Sequence, residues 1–240
     1  MPQAPADAAE RTPMLYLHEI HRVRPGRLPG LLDAVARDWL PIAERHGMRM
    51  VGYWQVPPGQ GSWPETVAVW ELDDFAHYVE VTRRTYEPDA LDPELRAWHD
   101  NLGEWVDHTD GMVCLPSALT PTVAEIRERG LSAKLCTHEM IHCEPARQAE
   151  YLELAEEMWF RRVAEPAGRS IVGLYWSPWK NTRAVCIWGQ GASWSEVNPF
   201  GREESWERDR DFALWQTLGR EIRKDWDDRF LVPTPFSTVR

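Results

Sequence analysis

The sequence predicts an α+β fold: two tandem ferredoxin-like βαββαβ units in one chain, their sheets covering each other to form a barrel. Two observations carry this. LYLHEIHRVRP at 15–25 and LCTHEMIHCEP at 135–145 share Leu, His, Glu and Pro at one constant offset, and ordered blocks continue the match: HGMRMVGYWQVP with AGRSIVGLYWSP, TVAVWEL with AVCIWGQ, and a Trp-containing helical block ending in Pro116 or Pro233. Ordered blocks of this kind signify duplication. Within each copy, apolar spacing switches between the periods of strand and helix in the order β-α-β-β-α-β.

The elements follow in chain order. Residues 14–23 are short and apolar-rich and end at Pro25, whose fixed φ suits the first turn of a helix. Leu28, Leu31, Leu32, Val35, Trp39 and Ile42 then make a helical stripe, with Arg37, Asp38, Glu44 and Arg45 opposite and Gly47 as the stop. Residues 48–56 and 65–72 are β-rich runs joined by a Pro/Gly hairpin loop, shortened in the second copy to SPWKNTR. Asp73 and Asp74 are N-cap candidates for a short helix, Leu95, Trp98, Leu102 and Trp105 stripe the next one, and GMVCLP closes the unit as a strand. The expected bounds are a flexible tail at 1–13, a first unit at 14–117, a linker helix at 118–131 and a second unit at 132–240. The linker has Thr120 as cap, Pro121 at its first position and Gly130 as its stop.

Composition narrows the function. The net charge of −11, with scattered Lys and Arg, argues against a nucleic-acid partner. No apolar run approaches a bilayer span and the start resembles no signal peptide, so a cytoplasmic protein without a membrane partner is expected, with a homodimer as an allowed assembly. Cys114, Cys136, Cys143 and Cys186 form no CxxC and read as buried thiols. The 14 Trp imply thick helix-on-sheet packing or an aromatic-lined cavity.

Arg24-Pro25-Gly26, the Val51-Gly52 strand start, and VWELDDFAHYVEVTRR followed by Leu91-Asp92-Pro93-Glu94 resemble the NIPSNAP family of the dimeric α+β barrel superfamily. The likeness is clearest in the first copy; the second has Pro145-Ala146 and NPFGREESWERDRD in place of these features. It implies a fold and a pocket between sheets. It does not supply a reaction, since the superfamily spans cofactor-free monooxygenases, cyclases and haem enzymes.

HEMIH at 138–142 spells HExxH, which grips zinc only on a helix. Its counterpart HEIHR lies at 18–22 in a strand, where two His four residues apart stand roughly 13 Å from each other. No metal is therefore expected. Lone His46, His77, His99 and His108 read as solvated, and the acidic run at 203–211 as an exposed helix start. Strand alternation puts Leu17, Glu19 and His21 on one face, with Thr137, Glu139 and Ile141 as partners, and Tyr16, His18 and Ile20 on the other. Alternation alone does not choose the inner face; analogy with related barrels puts the Glu19 set in the cavity. There Glu19, His21 and Glu139 are candidate catalytic acid–base groups. Leu17, Thr137, Trp70, Trp188 and the matched pairs Tyr53-Trp54 and Tyr175-Trp176 are candidate ligand-lining residues. The architectural alternative is that both carboxylates are simply satisfied by neighbouring donors. The expected ligand is a hydrophobic, aromatic or polycyclic metabolite, acted on without cofactor by cyclisation, isomerisation or elimination. A cofactor-free monooxygenase and a non-catalytic ligand or haem carrier, with His21 as the axial candidate, are the rivals.

Overall fold

The computed structural model describes residues 14–60, 63–197 and 210–240; the expected tail at 1–13 and most of the acidic run lie outside them. The first unit comprises β1 (Leu15–Val23), a long helix α1 (Leu28–Ala34, a π-helical stretch Val35–Trp39, then Leu40–Arg45), β2 (Arg49–Gln55), β3 (Glu65–Leu72), α2 (Phe75–Tyr86), α3 (Pro93–Asn101) and β4 (Val106–Pro116). The linker helix α4 is Val123–Arg129. The second unit comprises β5 (Leu135–Cys143), α5 (Gln148–Leu154 running into a π-helical stretch Ala155–Ala164), β6 (Ser170–Trp176), β7 (Arg183–Gln190), α6 (Arg210–Ile222) and β8 (Arg223–Pro233).

The strands close into one antiparallel barrel in the order β1-β3-β2-β8-β5-β7-β6-β4. Two short seams join the units, Trp54 and Gln55 against Pro233 and Val232, and Leu115 and Pro116 against Trp176 and Tyr175. Closure leaves no sheet edge bare. The registers repeat: β1 pairs β3 and β4 as β5 pairs β7 and β8, so Glu19 faces Ala68 and Gly111 where Glu139 faces Cys186 and Asp228. A buried ion pair crosses between units from Arg229 Nη1 to Glu65 Oε2 at 2.8 Å, and a more exposed one from Arg183 to Asp110 at 3.1 Å.

Local chemistry revises several boundaries. Pro25 and Gly26 form a turn, with Gly26 at φ 76°, and α1 begins three residues later with Pro29 in its first turn. The cap of α4 is Thr122, not Thr120: Thr122 Oγ1 accepts from Glu125 N and Glu125 Oε2 accepts from Thr122 N, a capping box. Thr120 Oγ1 instead donates to Leu174 O at 2.7 Å. Asp74 caps α2 by accepting from His77 N, and Gly130 ends α4 at φ 61°. His46 and His77 are half-buried rather than solvated, bonding Asp92 and the His46 carbonyl.

The inner face is the opposite of the one expected. Tyr16, Ile20, Trp54, Val67, Val69 and Met112 pack in one cluster with Cys136, Met140, Tyr175, Val185, Ile187 and Leu231. A cluster drawing on both sheets is the barrel interior, and it is solid core. Leu15 and Val23 pack instead with α1 residues, and Ile141 and Cys143 with α5 residues, so the Glu19 and Glu139 faces lie beneath the helices. Sequence alternation is blind here because both faces of these strands are covered, one by helices and one by the opposite sheet.

The β2 and β6 aromatics are also in a different register from the expected one. Gly52 and Gly173 stand at equivalent places, opposite Val69 and Ile187, so Trp54 matches Tyr175 and Tyr53 matches Leu174. A Cβ on Gly52 would meet the Trp54 ring at 2.1 Å, and one on Gly173 the Tyr175 ring at 2.2 Å. Each glycine therefore makes room for an aromatic ring folded back over the strand. Trp54 and Tyr175 fill the barrel, Tyr53 faces the helices with its hydroxyl 3.2 Å from Thr66 Oγ1, and Trp176 is half-buried at a seam.

Candidate functional site

Moving the Glu faces under the helices moves the site with them. In the second unit a cavity of about 310 Å³ opens between the sheet and its helices. The floor is β5, β7 and β8, from which Thr137, Glu139, Trp188, Arg223, Trp226, Asp228 and Phe230 project. Trp159 of α5 and Phe212, Trp215 and Gln216 of α6 form the wall, and Gln60 from the first unit's β2–β3 loop completes it. Gln60 Oε1 accepts from Phe230 N at 2.6 Å, which fixes that loop to the second unit.

Three predicted residues meet in this cavity: Thr137, Glu139 and Trp188. The half-buried Glu139 accepts from Trp188 Nε1 at 2.8 Å. Desolvation pushes its carboxyl up to about 7, helped by the negative Asp228 and opposed by that bond and by Arg223 and Arg169. Asp228, on the solvent side, is pushed up to about 6, again first by desolvation. The cavity thus holds two carboxyls with pKa values near neutrality in an aromatic setting, the arrangement that acid–base exchange at pH 7 requires. The aromatic faces are partly occupied from within the protein. Arg169 lies over Trp188 at 4.8 Å and Trp159 at 5.5 Å, and Arg223 over Trp226 at 4.5 Å and Trp215 at 5.0 Å.

The first unit repeats the Glu–Trp pair and the tryptophans packed on it, but sets His21 where the second has Ile141. Glu19 Oε2 accepts from Trp70 Nε1 at 3.1 Å and lies 3.9 Å from His21 Nε2. His21 Nδ1 is 2.9 Å from Thr109 Oγ1, and burial pulls its pKa down against the pull of Glu19. Leu17 packs on the same helical side. Glu19 and Glu139 therefore do not share a chamber, because the solid barrel core separates the two helix-covered faces. Trp39 and Trp159, set in the π-helical stretches, meet Trp70 and Trp188 at 5.8 Å in each unit.

Between the units the structure places a group that the HExxH argument passed over. His18 Nε2 and His138 Nε2 lie 2.8 Å apart in the barrel interior, rings parallel within 6°. Desolvation pulls His18 down to about 3 and His138 well below its usual value, so both are neutral and one ring donates to the other. The signal was present: HE recurs in both copies, and alternation puts the two His opposite their Glu neighbours.

The described residues lining the cavity include no His, Cys, Met or Tyr to ligate an iron axially, so the site does not fit a haem. His21, the axial candidate, belongs to the other unit. Cavity residues from α6 and β8, among them Phe212, Trp226, Asp228 and Phe230, escape sequence reading because only the fold gathers them.

Residues 16–118 match the NIPSNAP family. No curated protein matches the chain. A candidate monooxygenase from Lactobacillus acidophilus NCFM has the same fold at 6% identity, covering 92% of this chain and 94% of its own with a TM-score of 0.60. A candidate chlorite dismutase matches at 8% identity over 92% of this chain and 95% of its own, TM-score 0.53. A NIPSNAP family protein from Agrobacterium tumefaciens str. C58 aligns at 20% identity with 45% of this chain and 90% of its own, TM-score 0.38. The first two likenesses span both units and show the fold alone.

Proposed function

We propose, for a chain whose first unit matches the NIPSNAP family, that the cavity of its second unit binds an apolar, aromatic-faced small molecule and that Glu139 exchanges a proton with it. The observation that carries this is a carboxyl near pKa 7, bonded by an indole N–H, within a cavity walled by Trp and Phe. A carboxyl so poised gives up or takes a proton with little driving force lost at neutral pH, which suits cyclisation, isomerisation or elimination. Glu19 and His21 are the first unit's separate candidates for the same chemistry; Thr137 and Trp188 line the ligand, while Trp54 and Tyr175 support the barrel.

Carbon-13 NMR of Glu-labelled protein tests the assignment. One carboxyl should titrate near pH 7 and disappear in Glu139→Gln, and 2-naphthol should quench tryptophan fluorescence in both forms. No carboxyl titrating above pH 5.5, or no naphthol binding, would sink it. The second reading is a monooxygenase, as the Lactobacillus protein of the same fold is described; oxygen consumption with the turned-over ligand separates the two readings.

A further inference from the structure

Resting on that reading of the cavity, we infer that its ligand carries an anionic oxygen group, such as a carboxylate, and that Arg223 binds it. Arg223 opens β8 and is only 8% exposed. Among the described residues no carboxylate lies within ion-pairing distance of it. Among the described residues its Nε donates to Gly219 O at 3.2 Å, and Nη2 has no partner. Asp228 and Glu139 act on Arg223 only from beyond contact distance, and a buried guanidinium nitrogen left without a hydrogen-bond acceptor is costly. The repeat shows that packing does not need it: the register partner of Cys143 is Arg223, and that of the equivalent Val23 is Val106, a buried apolar residue. The other β8 cation that lines the cavity, Arg229, is already paired with Glu65 and Asp227.

Position and surroundings agree with an anion. Trp215 and Trp226 hold the guanidinium at the cavity lining. A cationic ligand would have to displace Arg223 and Arg169 from the aromatic faces they cover. Thr137, where the first unit has Leu17, adds a hydroxyl to the same lining that is buried and unpartnered. Duplication thus left the Glu–Trp pair in both units and put the donors in one, which is what recognition of a single polar end of an aromatic molecule requires.

The test compares 2-naphthoate with its neutral isostere 2-naphthamide by tryptophan quenching at pH 7. Wild-type protein should prefer the naphthoate by at least tenfold. Arg223→Met, which the Val106 precedent says should fold, should bring the two within about twofold by weakening naphthoate far more than the amide; Arg223→Lys should keep part of the preference. If the wild type binds both probes equally, or Arg223→Met weakens both alike, the inference fails and the aromatic cavity stands. If neither probe binds, the cavity reading falls and takes the inference with it.

Discussion

A carboxyl raised by its surroundings and a histidine lowered by them have opposite effects on stability. Glu139 sits at about 7 in the native protein and near the ordinary value of 4.5 when unfolded. Between those values the native state holds the extra proton, so stability falls as pH rises, by on the order of 1 to 3 kcal/mol once pH exceeds 7. Glu139→Gln removes that penalty: its melting temperature should gain on wild type from pH 5 to pH 8 while turnover is lost. A carboxylate serving only as a structural partner would instead lose stability on substitution. The pH dependence also reflects Asp228 and Arg223 on β8 and Arg169 ahead of β6, which face the same carboxyl. His18 behaves oppositely. With its pKa at about 3 against 6.5 unfolded, it costs stability as pH falls through that interval, at up to about 1.4 kcal/mol per pH unit, and His138 adds to this. Denaturant midpoints measured from pH 7 to pH 4 should drop, and should drop less in a His18→Leu/His138→Leu double variant.

Elements were readable where one face was wet. The α1 stripe, the Asp74 cap and the Gly47 and Gly130 stops all rest on local contrasts between apolar and polar or on turn chemistry, and the structure carries them. The β1 face was not readable, because Leu15 and Tyr16 are both about 1% exposed and periodicity needs contrast. Nor could the sequence show that Glu71 would anchor the linker. Its buried carboxylate accepts from Tyr16 Oη at 2.9 Å, Arg49 Nε at 2.7 Å and the Val123 amide at 2.8 Å, seating the first turn of α4 on β3. Glu71→Leu leaves a buried tyrosine hydroxyl and an amide unanswered and Arg49 with Asp73 as its remaining carboxylate, and should lower unfolding free energy by about 3 to 5 kcal/mol. Hydrogen exchange at the Val123 amide should accelerate more than at the β5 amides. Equal acceleration everywhere would mean that the helix is not specifically held.

At the scale of the whole molecule, fusion is what permits one cavity to differ from its counterpart. In a homodimer every substitution appears twice; here Thr137, Arg223 and Asp228 appear once, against Leu17, Val106 and Gly111. Titration with 2-naphthoate should therefore saturate at one equivalent per chain, and two equal equivalents would show that the units are functionally alike. The duplication behind this was visible in the ordered sequence blocks. The division of labour was not, since it depends on which residues the β8 register sets beside Glu139.

The ion pair between Glu65 and Arg229 also acts as a rule of association. Register equates Glu65 with Arg183 and Met112 with Arg229. Two copies of the first unit would leave Glu65 facing a methionine, buried and unanswered; two copies of the second would set Arg229 against Arg183. Only unlike halves match. The halves descend from one ancestor yet can no longer recognise themselves, so each expressed alone should fail to form a barrel, and mixing them should restore it in a strict one-to-one ratio.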